Sequence, residues 1–444
     1  MGRYFGTDGY RGVANENLSA VHAFKIGEAC GDMAMSHSKK IILGQDTRLS
    51  SPLLANAFKA GCMSRGCDVY DLKVTSTPCV AFHVIRDDFH FGVMISASHN
   101  PFMDNGIKIF NHDGVKISDE IENIIEDVCD GNIVLSPSSS HNIGKDIDFS
   151  HGVNMYIDYC VSTVAHKNLT RKVVLDCANG STTTTAQKAF EACGFDVHVI
   201  SNSPTGLNIN DHCGSTHPDS LQKTVLELHA FCGFAYDGDG DRLIAVDELG
   251  QIVDGDQIMF ALGKHLMSQG KLHDNVIIST IMSNLGFIKA CESSGMHVIQ
   301  TQVGDKYVFS KMRETKASLG GEQSGHLILA DLLPSGDGLL ASLQLMDMLM
   351  QSKQSLSAAV SLCQPFPQLL KNLRVKDKKI TMSAPYLLEV IREVEEKLAH
   401  EGRVLVRASG TENLIRVMVE ASTQETCEYY VNYIIQRIEN EERI

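Results

Sequence analysis

Phe91-Gly92-Val93-Met94-Ile95-Ser96-Ala97-Ser98-His99-Asn100-Pro101 is the stretch around which the chain is organised. Phe91, Val93 and Ile95 alternate along it, and then a polar run breaks the pattern. That reads as a buried strand ending in a tight polar turn. Pro101 disfavours helical geometry at Asn100 and holds the turn open. A serine displayed there can act as a nucleophile when something activates it. Serine-rich turns after strands are common, however, and an isolated one is more often structural. The rest of the chain decides between these readings.

Working outward, the strand is the third of a unit that recurs. The first unit opens with Lys39–Gly44, passes a polar turn at Gln45-Asp46-Thr47-Arg48, forms a helix near Leu53–Ala60, and restarts a strand at Gly66–Val69. The second opens with Arg171–Asp176, turns at Cys177–Gly180, forms a helix near Thr184–Ala192, and restarts at Gly194–Val197. The third opens with Asn275–Ser279, followed by a helix near Leu285–Ser293 and a strand from Gly295–Val298. Strand, turn, helix, glycine, strand is a βαβ unit with buried parallel strands, and three similar copies predict three related α/β domains. Each unit then carries a third strand ending in an unusual loop: SASHNP, DGDGDR (237–242) and GGEQSGH (320–326). Ligands of α/β sheets gather beyond the carboxyl ends of strands, so equivalent loops are expected to face one central cleft. The repeat stops near Pro365-Phe366-Pro367. Beyond it, strands at Leu373–Val375, Val404–Arg407 and Leu414–Val419 and helices at Ala384–His400 and Glu425–Ile438 predict a smaller α+β domain. The predicted fold is therefore three α/β/α domains with mixed sheets and a small α+β domain, divided as 1–152, 153–252, 253–364 and 365–444.

Composition limits the partners. With 444 residues the chain is long enough for three or four domains, and 43% hydrophobic with 21% charged residues is ordinary for a globular protein. A net charge of −15 argues against nucleic acid but leaves room for a small phosphorylated ligand in a local basic pocket. The 13 cysteines are scattered singly with no CxxC pair, which implies neither a zinc knuckle nor a disulfide framework and suits a reducing, cytoplasmic setting. The start, MGRYFGTDGYRG, has no apolar core of a signal peptide, and no apolar run reaches the ~18 residues of a membrane span.

Asp237-Gly238-Asp239-Gly240-Asp241-Arg242 carries the strongest chemical signal. Alternate residues of an extended segment point the same way, which would bring three carboxylates together. At about 6 Å and an effective dielectric near 20, each pair repels by roughly 3 kcal/mol. A hard divalent cation relieves that crowding. Asp237, Asp239, Asp241 and Glu248 also match positions of a calcium EF-hand, but Arg242 stands where that loop needs glycine, and the strand-like Leu243–Val246 follows. A solvated acidic turn is the remaining alternative.

A serine beside a metal suits phosphoryl transfer, which needs cations to balance its charge. Arg242, Lys108 and Arg11 are candidates, each with a surface charge as its plainer reading. Arg407-Ala408-Ser409-Gly410-Thr411, with Arg416 nearby, offers guanidinium, hydroxyl and backbone N–H donors suited to a phosphate, or else is a hairpin turn. Glu322, Gln323 and Ser324 lie between glycines and carry groups that hydrogen-bond sugar hydroxyls. His99 or His326 can move a proton.

Taken together and in this order, FGTDGYRG, SASHNP, DGDGDR, GEQSGH and the RxSGT turn resemble the α-D-phosphohexomutase family along essentially the whole chain. The resemblance implies a phosphoserine at Ser98 and one Mg²⁺ per chain held by Asp237, Asp239, Asp241 and a phosphoryl oxygen on Ser98. It places Glu322 and Ser324 on the sugar, and Arg407, Ser409, Gly410 and Thr411 on the phosphate that is not reacting. The implied cycle passes a phosphoryl group from Ser98 to a hexose 6-phosphate, forms a 1,6-bisphosphate (of glucosamine or glucose), and returns the other phosphate to Ser98. Gln323 in GEQSGH and the start FGTDGYRG resemble the branch acting on hexosamine phosphates. Enzymes acting on glucose and mannose phosphates and a silent sugar-phosphate sensor remain as alternatives, and a homodimer is left open. One departure from the family pattern is Asn413, where proline is more usual.

Overall fold

Ile41-Ile42-Leu43, Val173-Val174-Leu175 and Ile277-Ile278 are all fully buried. Continuous apolar runs of this kind belong to central parallel strands covered on both faces. The computed structural model describes residues 2–6, 8–167, 170–399, 401–408 and 413–442, and in it each run forms the first and central strand of its repeat.

In the first repeat, strand Lys40–Gln45 pairs in parallel with Asp68–Val74 and Phe91–Ile95, and Phe91–Ile95 pairs antiparallel with Asp104–Asn111. In the second, Lys172–Asp176 lies between Asp196–Ile200 and Cys232–Tyr236, with Leu243–Val246 antiparallel to the latter. In the third, Val276–Thr280 lies between His297–Thr301 and Leu319–Gly321, with Leu327–Leu329 antiparallel. Each repeat thus has three parallel strands in the order second, first, third, and a fourth that doubles back beside the third. The loop from third strand to fourth is the chemically unusual one every time. The first sheet is extended to seven strands by Phe5–Gly6, Gly9–Val13 and Asp146–Asp148.

The helix expected near Thr184–Ala192 starts as a 3₁₀ turn, Ser181–Thr184, before Ala186–Ala192. The hydroxyls of Thr183 and Thr184 donate to the carbonyls of Gly180 and Ser181 at 2.7 and 2.9 Å. Such local bonds compete with regular helix.

The chain divides into two compact units, Met1–Met282 with Gly295–Ser361, and Ser283–Ser294 with Leu362–Ile444. In the second, strand Leu414–Ala421 lies between Gln368–Arg374 and Gly402–Ala408, all antiparallel, under helices Pro385–Leu398 and Gln424–Glu442. A short helix, Lys378–Ser383, is present as well, capped by the Asp377 side chain. Helix Leu285–Ser293 belongs to this unit: the Asn284 side chain accepts from Phe366 N at 2.8 Å and Glu420 accepts from Leu285 N at 2.9 Å. Among the described residues, no helix is long and apolar enough to cross a membrane. Of the 13 cysteines, all but Cys129 are buried.

Candidate active site

The three repeat loops meet in the first unit. Ser98 follows strand Phe91–Ile95 in a left-handed conformation, φ +54°. That geometry is unfavourable for a serine by about 1–3 kcal/mol and is found where surroundings enforce it. Its side chain is 1% exposed, and its hydroxyl donates to Asp237 Oδ2 at 2.5 Å. His99 Nδ1 lies 3.2 Å from Ser98 Oγ.

The acidic loop is a turn rather than the extended segment expected from alternation. Gly240 N donates to Asp237 O at 3.1 Å, and Gly240 has φ +75°. The convergence of the carboxylates therefore comes from a tight bend. Gly238 backs directly onto the serine loop: a Cβ at that position would lie 2.5 Å from Ser98 O. The carboxylates of Asp237, Asp239 and Asp241 offer oxygens within 4.8 Å of one another. Asp239 Oδ1 and Asp241 Oδ1 are buried without a hydrogen-bond partner among the described residues, which is costly for a carboxylate unless a cation satisfies it. The residues present thus fit a hard divalent ion.

Lys108 lies in the middle of this negative charge. Its Nζ is 2.8 Å from Asp239 Oδ2, 3.3 Å from Asp241 Oδ2 and 3.2 Å from Asp8 Oδ2. Burial opposes its charge, but Asp239, Asp241 and Asp8 hold the ammonium well above its ordinary range. Burial likewise pushes Asp241 up, but Lys108, His326 and Arg242 prevail and bring it down to about 2. Asp237 behaves oppositely, because burial, Asp241 and Asp239 all raise it well above the carboxylate range. Burial, then Arg242 and Arg11, lower His99 to about 4, so its imidazole is neutral at pH 7. Arg11 reaches Asn100 Oδ1 at 3.3 Å and pairs with Asp8. Arg242 bonds through its backbone N–H to Asp237 Oδ1 at 3.2 Å.

The third loop joins through backbone contacts. Leu243 N donates to Gly325 O at 2.9 Å, Arg242 and His326 form a bridge, and His326 Nδ1 is 3.7 Å from Asp241 Oδ2. Glu322 accepts from Gly304 N at 3.0 Å, and Ser324 is exposed beside it. The Gln323 amide, expected on an amino sugar, donates instead to Asp254 Oδ2 at 3.1 Å, and Asp254 caps helix Gly255–Ser268.

In the second unit, Arg407 and Arg416 are direct cross-strand partners. Burial and the Arg416 charge lower the Arg407 guanidinium, and Arg416 Nε is buried without a partner among the described residues. Like charges directly opposite are unfavourable, and an anion would relieve them. Ser409, Gly410 and Thr411, expected in the same phosphate turn, lie outside the described residues.

Several residues at this site are not singled out by the sequence. Asp8 joins Arg11, Lys108 and Lys116. Thr77 donates to Asp239 Oδ2 at 2.5 Å, and Lys116 pairs with Asp305 at 2.6 Å. Asp8 lies inside the glycine-rich FGTDGYRG start, whose one acid could have drawn notice; the others have no local signal.

Comparison with known proteins shows the family. The alpha/beta/alpha domains I, II and III of the phosphoglucomutase/phosphomannomutase family match residues 2–133, 154–250 and 254–366, and its C-terminal domain matches 370–436. A phosphoglucosamine mutase of Lachnoclostridium phytofermentans is 46% identical over 437 residues, covering 98% of each chain. One of Bacillus cereus is 47% identical over 444 residues, covering 99% of each. A solved phosphoglucomutase/phosphomannomutase family protein from Burkholderia thailandensis superposes with a TM-score of 0.81 at 22% identity, over 100% of this chain and 98% of that one. The Aspergillus fumigatus N-acetylphosphoglucosamine mutase, solved with GlcNAc-6P and magnesium, gives 0.65 at 14% identity, over 99% and 96%. At such identities these two structures speak for the fold.

Proposed function

The chain belongs to the phosphoglucomutase/phosphomannomutase family, and from that membership we propose that it interconverts glucosamine 6-phosphate and glucosamine 1-phosphate, as a phosphoglucosamine mutase. It is an isomerase of the phosphohexomutase kind. The observation that carries the finer reading is the full-length identity to phosphoglucosamine mutases. The placement of Ser98 Oγ beside Asp237 at 2.5 Å supports the chemistry.

In this reading Ser98 carries a phosphoryl group. When glucosamine 6-phosphate presents its O1 hydroxyl, the P–Oγ bond breaks, the P–O1 bond forms, the O1 proton leaves to a base and a proton returns to Ser98 Oγ. The bound glucosamine 1,6-bisphosphate then turns over. Its P–O6 bond breaks, the phosphoryl group returns to Ser98, and O6 takes a proton. Neutral His99, with Nδ1 3.2 Å from Oγ, is placed to exchange the serine proton. Lys108 and Arg242 offset the local negative charge. Asp237, Asp239 and Asp241 would hold Mg²⁺, which when bound neutralises charge on the phosphoryl oxygens. Glu322 and Ser324 face the sugar, and Arg407, Ser409, Gly410, Thr411 and Arg416 take the distal phosphate. Glucosamine or glucose 1,6-bisphosphate would prime the serine, and singly scattered cysteines without a CxxC pair suit a cytoplasmic location.

A coupled assay across glucosamine, glucose and mannose 1-phosphates tests the assignment, with glucosamine 1-phosphate expected to give the highest kcat/KM. A clear preference for mannose or glucose 1-phosphate would move the chain to the other branch of the family. Intact mass should show about one phosphate, lost in Ser98→Ala together with activity by roughly 10³-fold or more. Release of free phosphate without isomerised sugar would make it a phosphatase, and absence of any turnover would leave a sensor.

A further inference from the structure

The polar turn Gln45-Asp46-Thr47-Arg48, unassigned by the reaction, lies against the serine loop. Arg48 is 1% exposed. Its Nε donates to Asp46 Oδ2 at 2.8 Å, and Asp46 is itself fixed by the Ser51 hydroxyl at 2.6 Å. One terminal nitrogen donates to Asp104 O at 3.0 Å and to Pro101 O. The other donates to Ser98 O and Asn100 O, both at 2.9 Å. A guanidinium has five N–H groups in a rigid fork, and here every one has an acceptor. Four of the five go to backbone carbonyls of the single loop 98–104.

A second clasp comes from the second repeat. The Asn210 side-chain amide donates to Ser98 O at 2.9 Å and Asn100 O at 3.1 Å. The two carbonyls clasped by Asn210 are thus the same two held by one nitrogen of Arg48. The Arg48 turn also touches the second repeat directly: the Thr47 hydroxyl donates to Asn179 O at 2.6 Å and Leu49 N to Gly206 O at 2.9 Å. Ser98 sits in a left-handed conformation that serine does not favour, so something must hold it there.

We propose that Arg48 and Asn210 are positioning residues that clasp the Ser98 carbonyl from two repeats and so fix where the Ser98 hydroxyl points. The proposal rests on Ser98 being the phosphoryl carrier. Displacing reacting atoms by about 1 Å is enough to cost on the order of 100-fold in rate, while the pockets for sugar and distal phosphate stay unchanged. Loss of a clasp therefore lowers kcat and leaves KM.

Asn210 has φ +59°, so Asn210→Gly removes the amide without backbone strain. Both carbonyls keep their Arg48 bonds in that variant, so the fold survives. Arg48→Lys replaces a five-donor fork by one ammonium that cannot reach all four carbonyls. The measurements are steady-state kcat and KM for glucosamine 1-phosphate, single-turnover phosphorylation of Ser98 by glucose 1,6-bisphosphate, and Tm. The expected result for Asn210→Gly is kcat lower by about 10- to 100-fold, slower serine phosphorylation, KM within about twofold, and a nearly unchanged Tm. Arg48→Lys should lose more in kcat. Asn210→Gly with kcat within about twofold of the unsubstituted protein would overturn the proposal even if Arg48→Lys fails to fold. A loss confined to Tm, with normal kcat per folded molecule, would overturn it too. If the unsubstituted protein shows neither serine phosphate nor turnover, the reading of Ser98 fails, and the proposal with it.

Discussion

At Asp239, one carboxylate serves two kinds of partner. Its Oδ2 accepts from Thr77 at 2.5 Å and from Lys108 at 2.8 Å, while Oδ1 is buried with no partner among the described residues. The bonded oxygen ties the turn to its surroundings, and the unbonded one is free for a cation. Asn at this position keeps a carbonyl oxygen for Thr77 and Lys108 but lacks the negative charge. Lys108 also keeps Asp241 and Asp8. Asp239→Asn is therefore expected to fold with a Tm within a few degrees, to lose divalent-ion affinity, and to lose activity by about 10²-fold or more. Calorimetric Mg²⁺ titration alongside Tm checks it, and unchanged ion affinity would mean that the carboxylate only pairs with Lys108.

At the scale of elements, the equivalent third-to-fourth strand loops of three repeats are pressed together by close backbone approach. Gly238 carries this contact: a Cβ there would lie 2.5 Å from Ser98 O and 2.8 Å from Ile209 Cδ1. The first of those neighbours is backbone and clasped, so it cannot move aside. Gly238→Ala should push the acidic turn off the serine loop and lower kcat by on the order of 100-fold, with destabilisation of about 1–3 kcal/mol from overpacking. Enzyme kinetics and urea denaturation together measure both, and wild-type kcat would show that the turn tolerates displacement. The strand and helix repeat was legible because buried parallel strands write apolar runs into the sequence. The acidic loop was legible because three acids spaced by glycines are costly without a reason. What was not legible is the clasp. Arg48 and Asn210 lie 50 and 112 residues from the serine they hold, and no local spacing encodes a contact made by folding two repeats together. Gln323 shows the converse: its place in a motif suggested the sugar, while one of its amide N–H groups donates to Asp254, the cap of helix Gly255–Ser268.

Across the first unit, buried polar contacts between repeats set a pH-dependent component of stability. Asp337 begins helix Gly338–Ser352, accepting from Leu340 N at 2.9 Å, and the next residue's N–H donates to Gly240 O in the acidic turn at 3.0 Å. Both Asp337 oxygens also accept from Tyr156, at 2.9 and 2.8 Å, on helix Gly152–Ser162. Burial raises this carboxyl from 3.8 to about 6, against the opposing pull of its hydrogen bonds. The folded state therefore holds a proton that the unfolded chain has released between about pH 4 and 6. The associated stability is fully present below the unfolded value and is lost as pH rises through 6. The difference of about 2 pH units corresponds to about 3 kcal/mol. Asp337→Asn keeps acceptor oxygen for Leu340 N–H and Tyr156 O–H but never ionises. Its Tm should equal the wild-type value near pH 4, exceed it increasingly up to pH 6–7, and stay a few degrees higher above that. Thermal melts from pH 4 to 8 test this, and parallel curves for the two proteins would mean that Asp337 is ionised throughout and that Tyr156 and the helix terminus fully compensate its burial.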